Sequence, residues 1–298
     1  MTAISASLAE LQNGAALEQD RRHEDRQLLL ICSPGIILAF FLLCLPIGWL
    51  FWFSVIDAAG NPTFEHYSRI WTEGAYVQIF VNTFRTSVLV TIICILLGYP
   101  LAYCLSQIPQ RWSGILMLGV LVPFWTSLLV RTYAWLVLLQ RKGIVNTLLV
   151  ESGLISQPIP LVNNLTGTII GMTHIMIPFL VLPLYASMRS IDGTYVRAAA
   201  NLGASPTKAF WQIYLPLSLP GLVAGTVLTF ILCLGFYITP AVLGGGRVQF
   251  IAQRVAASVS LFPTWGPASA LGVVLLVLTL IILLLSQALL NRWRRRIG

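Results

Sequence analysis

The chain has 298 residues, of which 57% are hydrophobic and only 9% charged, with a mean hydropathy of +0.84 and a formal charge of +8. That balance excludes an ordinary soluble domain and describes an integral membrane protein. The positive charge sits mainly in loops and at the ends, so it reads as membrane topology and not as a nucleic-acid footprint.

Residues 1–27 form a polar tail of mixed charge, and apolar runs follow at 28–55, 86–105, 115–139, 167–188, 219–243 and 268–290. A bilayer core of about 30 Å takes roughly 20 helical residues, so each run is long enough to cross. The expectation is an all-α integral membrane fold with about six transmembrane helices in one domain over 28–291. The first run is too long for a signal-peptide core and offers no small-residue cleavage site, so it is expected to be retained. Pro46, Pro100, Pro123, Pro178 and Pro183 fall inside runs, where neighbouring helices can satisfy the freed carbonyls, and they predict kinks.

Between the first two runs a polar segment of about thirty residues carries Tyr67, Trp71 and Tyr76, which suits either contact with an external protein or an amphipathic lid. The third run holds Arg131, and a guanidinium at that depth must face protein, water or substrate. Trp125, Tyr133 and Trp135 surround it. Arg131 and Trp135, four apart, share a helical face that Trp125 does not. The four residues are a candidate translocation cavity, with Arg131 holding a carboxylate; the alternative is an internal anchor that caps carbonyls at a Pro123 kink. His174 in the fourth run is expected to hydrogen-bond to another helix, with a proton relay as the alternative. Cys32, Cys44, Cys94, Cys104 and Cys233 all lie in apolar runs without metal-ligand spacing and read as packed side chains, so no metal site is expected.

The polar break at 192–216 reads DGTYVRAAANLGASPTKAFWQIYLP. Asp192 can N-cap a helix, Gly203 can end it in a left-handed conformation, and Ser205 with Pro206 can start a second one that Pro216 closes. This predicts a knob of two short helices with an elbow at 203–205. Its outer surface would carry Ala198, Ala199, Ala200 and Ala204, while Phe210, Trp211 and Ile213 anchor it to the bundle. Beyond it, Gly244, Gly245 and Gly246 beside Pro240 permit a tight turn, and the basic end, 292–298, is suited to anionic head groups.

Eleven Lys and Arg residues fall in one set of loops and ends (21–26, 111, 189–208, 292–296) against five in the other (69, 141–142, 247–254). The excess places the first set, including both termini, in the cytoplasm. Of the two lysines, Lys142 follows Arg141 and Lys208 follows Thr207, so neither ends a phosphate-binding loop. No catalytic constellation stands out either, and any ATP hydrolysis must come from another polypeptide.

Within the break, Ala198, Ala199, Gly203, Ile213, Leu215 and Pro216 match at fixed spacing the loop signature of permease subunits of binding-protein-dependent ABC importers, whose Glu position is Arg197 here. The segments at 122–139, 143–149, 177–188 and 236–247 are similar to those of the spermidine/putrescine branch, the polyamine and opine type. The resemblance implies a type I importer permease in a bacterial inner membrane, with Arg197, Ala198, Ala199, Gly203, Ala204, Ser205, Pro206, Ile213, Leu215 and Pro216 in the loop that docks into an ATPase. It further implies a second permease subunit, two cytoplasmic ATPase subunits that bind ATP and Mg, an external solute-binding protein, and uptake of a polyamine such as putrescine or spermidine, or of an opine. An ATP-independent channel or secondary transporter is the alternative, and it calls for broken helices or charged relay residues within spans.

Overall fold

The computed structural model describes Gln27 and residues 30–297, with side chains described as far as Arg292. The expected N-terminal tail, Gln27 apart, and the side chains of the terminal arginines lie outside the described residues. The chain divides after Phe53 into two units, which are described separately. The first carries nearly all of helix α1, Leu30–Ser54, whose mean hydropathy of 2.5 over an 18-residue window suits a membrane span.

The second unit begins with α2 (Glu65–Thr72), α3 (Gly74–Gln107), α4 (Gln110–Trp125), α5 (Leu128–Leu138) and α6 (Ile144–Glu151). It continues with α7 (Leu165–Arg189), α8 (Gly193–Asn201), α9 (Pro206–Ala209), a π-helical turn at Phe210–Tyr214, α10 (Leu215–Leu234), α11 (Ile238–Leu243), α12 (Ile251–Leu261) and α13 (Gly266–Ile297). Five helices of the protein are long and apolar enough to cross a membrane, and six if α4 and α5 count as one bent span. The all-α membrane fold is as expected, but three boundaries differ.

The third run is not one straight span: α4 and α5 meet at 96°. Thr126 is extended (φ −83°, ψ 150°) and its hydroxyl donates to the Pro123 carbonyl at 2.7 Å, which ends α4, and Ser127 then starts α5 in a new direction. The fifth run does not continue to Leu243. Its helix runs from Pro206 to Leu234 and stops at Gly235, and 238–243 form a separate short helix. The second run starts twelve residues early, at Gly74; its 34 residues reach about 50 Å at 1.5 Å per residue, beyond a bilayer core of about 30 Å.

The core lies where α3, α7 and α10 cross. Lipid is as apolar as leucine, so packing in a membrane rests on close approach and dispersion. Gly221 and Gly225, one turn apart on α10, supply that approach: a Cβ on Gly225 would come within 2.7 Å of the Leu180 carbonyl oxygen, and one on Gly221 would strike Ser187. Val90, Cys94, Met172, Met176, Leu180, Cys233 and Phe250 fill the centre. Cys94 and Cys233 are packed as expected, whereas Cys32, Cys44 and Cys104 are exposed. Buried threonines on α3 turn their hydroxyls back to their own helix, Thr83 to the Ile79 carbonyl and Thr91 to that of Ser87, while the buried Ser87 hydroxyl has no partner.

Candidate coupling and translocation site

At one end of the bundle the 192–216 segment folds as its punctuation requires. The Asp192 carboxylate accepts from the Thr194 N–H at 2.8 Å and caps α8. That N–H, its largest influence, holds the Asp192 carboxyl below its ordinary range. Gly203 takes φ +81°, the left-handed value that ends a helix, and the space around its α-carbon is open. Ser205 Oγ then accepts from the Lys208 N–H at 3.3 Å, with Pro206 in the first helical position.

Pro216 does not close the second helix. α9 passes through the π-helical turn into α10 without a break, because a proline so near the start of α10 needs no N–H partner within the preceding turn once the backbone widens there. The second half of the loop is therefore a rigid extension of a membrane helix. The faces also differ from expectation. Ala199 is buried and Ala204 half-buried, because Val196 and Ala199, three apart, turn toward the bundle. The outward face is Tyr195, Ala198, Ala200 and above all Leu202, which is 89% exposed.

Of the expected anchors, Phe210 stacks on Tyr214 and meets Tyr99 and Tyr103 edge-on, but Trp211 is exposed and Ile213 only half-buried. The anchor that sequence reasoning missed is Tyr214, buried with its hydroxyl 2.8 Å from Ser106 Oγ and accepting from Gln107 Nε2 at 3.2 Å. Leu215 and Pro216 are half-buried behind it. Arg189, at the end of α7, donates to the Ser106 carbonyl at 2.8 Å. Three helix ends are thus tied together beneath the loop, around a cavity of about 440 Å³ that Arg189 and Arg197 both line. The side chain at the signature's Glu position accordingly lines this cavity beside a second arginine.

Within the bundle, the four residues of the candidate cavity part company. Trp125 ends α4 on the far side of the 96° break and is 86% exposed, and Tyr133 is exposed too. Arg131 and Trp135 share the expected face. The Trp135 ring meets His174 of α7 edge-on with centroids 5.6 Å apart, and the charge of Arg131 reaches His174. Neither Nε nor Nη1 of Arg131 has an acceptor, so the anchoring alternative, in which it caps carbonyls, is not what the structure holds. The expected hydrogen bond from His174 is missing at Nδ1.

At the opposite end the chain between α10 and α13 folds back. Gly245 and Gly246 take φ +57° and +75°, the tight turn expected there. Phe250 then enters the central core, and Ile251 N–H donates to Thr83 Oγ1 at 3.1 Å. Gln253 and Ser260 of α12, with Gln249 before it, lie with Tyr237 and Arg254 around an open cavity of about 440 Å³. Sequence reasoning passed over these residues. Of the three aromatic residues singled out between the first two runs, Trp71 alone is exposed. Tyr76 is buried beneath Arg254, and the Tyr67 hydroxyl donates to Ser54 Oγ at 2.7 Å.

A profile of the binding-protein-dependent transport system inner membrane component family matches residues 28–296. The chain is 34% identical over 233 residues to the spermidine/putrescine transport system permease protein PotB of Haemophilus influenzae, covering 77% of this chain and 81% of that one. It is 30% identical to the Escherichia coli protein of the same name, over 77% and 84% of the two chains. In shape it is similar to a crystal structure of a bacterial ABC transporter that imports the acidic polysaccharide alginate, with a TM-score of 0.70 over 90% of this chain and 96% of that one at 17% identity. Another similar structure is the inward-facing MetNI methionine ABC transporter, with a TM-score of 0.55 over 73% and 95% at 16% identity. At those identities the structures speak for the fold alone.

Proposed function

The chain belongs to the binding-protein-dependent transport system inner membrane components and is a permease subunit of an ABC importer, and we propose that it admits a small amine-containing organic solute under the drive of a separate ATPase docked on the 192–216 loop. The observation that carries the docking reading is the capped two-helix knob with its elbow at Gly203. It offers an exposed face of small residues and Leu202 to a partner, while Tyr214 fixes it to the end of α3, to which Arg189 also ties the end of α7. The names of the relatives support a polyamine such as putrescine or spermidine as solute, and an opine is the carboxylate-bearing form of the same reading.

In this account both termini and the loop face the cytoplasm. A second permease subunit completes the path, two ATPase subunits supply ATP and Mg, and an external solute-binding protein delivers the solute to the inner membrane. Because α9 runs unbroken into α10, displacement of the knob by the ATPases moves a whole span. Nucleotide and loaded binding protein thereby bias one two-state equilibrium. The bend between α4 and α5 is a feature that a secondary transporter would also show. Uptake of labelled putrescine, spermidine and octopine by a deletion strain complemented with the intact system tests the reading. Uptake that stops when the ATPase partner is inactivated supports it, and uptake indifferent to ATP contradicts it.

A further inference from the structure

The acids of the second unit are Asp57, Glu65, Glu73, Glu151 and Asp192, and none lies inside a long helix. Glu65 and Glu73 both pair with Arg69. Arg254 therefore has no carboxylate partner among the described residues, and its Nη2 donates to the Tyr76 hydroxyl at 3.1 Å. Its guanidinium lies 4.8 Å from the centre of the Tyr76 ring, which fixes it in place without neutralising it, and its Nε has no acceptor.

This cation, half-buried, lines the cavity beside α12, which opens at the end of the bundle where Gly246 lies. α12 starts where Phe250 is fully buried and Ile251 bonds to Thr83, nine residues along α3 and about 13 Å from its first residue at 1.5 Å per residue. The other polar groups there, Gln249 among them, can each donate as well. Gln253 spends its Oε1 on the Phe250 N–H at 2.9 Å, which leaves its NH₂ free to donate, and Tyr237 and Ser260 carry hydroxyls. A volume of about 440 Å³ falls within the range of small-molecule sites, roughly 300–1,000 Å³.

A guanidinium with no carboxylate partner and a buried Nε that lacks an acceptor gains charge-assisted bonds from an oxyanion. It repels an ammonium group. We propose that this cavity binds the carboxylate of the transported solute, with Arg254 as its charged partner and Gln253 as a second donor, so that the solute is an amine bearing a carboxylate. The face of Tyr237, lining the same cavity, takes the amine end. This inference rests on the importer reading above and narrows its solute.

The test uses the assembled transporter in lipid nanodiscs, with Cys32, Cys44 and Cys104 replaced by alanine and an environment-sensitive fluorophore on Ser260→Cys. The probes are 4-aminobutanoate and putrescine, equal in chain length and different at one end, titrated at constant ionic strength. The expected result is a saturable response to 4-aminobutanoate and none to putrescine at the same concentration. Arg254→Gln should weaken the 4-aminobutanoate response by about tenfold or more, the loss of a charged hydrogen bond, and Arg254→Lys should restore part of it. Three results would overturn the proposal: a putrescine response as strong as that of 4-aminobutanoate, a 4-aminobutanoate response unchanged in Arg254→Gln, or no response to either probe. Failure of the importer reading is read separately, as solute uptake by the wild-type system without ATP hydrolysis.

Discussion

The hydroxyls of Ser106 and Tyr214 lie 2.8 Å apart and join the last turn of α3 to the π-helical turn that leads out of the loop at 192–216. Gln107 donates to the same tyrosine oxygen and Arg189 to the Ser106 carbonyl, so movement of the loop reaches α3, α7 and α10 together. Tyr214→Phe keeps the ring packing against Tyr103 and removes only the hydroxyl network, at a cost of about 1 kcal/mol. Assembly should survive. Solute-stimulated ATP hydrolysis should fall severalfold in reconstituted vesicles, and full stimulation would show that the hydroxyl network carries no coupling.

Gly203→Val tests the elbow. With φ +81° and open space around it, the glycine is required by its backbone and not by crowding, and a side chain there costs about 1 kcal/mol or more. The variant should reach the membrane in normal amounts, with transport and stimulated ATPase activity reduced. Normal stimulation would mean that the loop tolerates another elbow.

Arg197→Glu restores the residue type of the family signature, but in this chain it would bring a carboxylate close to Asp192, on which Arg197 now acts with the opposite charge. A reversed charge at a docked surface opposes binding. Less ATPase should be recovered on affinity-tagged permease carrying Glu at this position. Tighter recovery would show that Arg197 is not matched by its partner.

Topology is checked by reporter fusions. Those after Gln110, after Lys208 and at Gly298 should report cytoplasm, and those near Asn61, Glu151 and Gly246 the external side. The structure places 110 and 208 at one end of the bundle and 151 and 246 at the other, because α4 with α5, and α10 with α11, run between them. An external signal at Lys208 would remove the docking role of the loop.

Much of this was legible in the sequence where single residues act locally. Asp192, Gly203, Ser205 and Pro206 each impose a backbone state on their immediate neighbours, and the loop followed. What depends on distant partners was not legible. Tyr214 is an anchor only because Ser106 and Gln107 meet it from another helix, and the burial of Ala199 reflects which face of α8 meets the bundle. Hydropathy averages also hid the breaks at Thr126 and Gly235, since a broken span is as apolar as a straight one when its irregular backbone is covered by protein. Arg131 was found by its charge. Arg254 was counted only as a loop cation, because nothing local shows that α12 begins inside the core.

The most direct measurement of the central claim is the ATP hydrolysis recovered with the affinity-tagged chain from membranes, wild type beside Leu202→Asp. Leu202, the most exposed apolar side chain of the loop, is where a docked ATPase would gain most from contact and lose most from a charge. The account predicts hydrolytic activity with the wild type and a drop of about tenfold with Leu202→Asp, at equal amounts of permease in the membrane. Wild-type chain that carries no ATPase activity, or Leu202→Asp that carries as much as wild type, would contradict it.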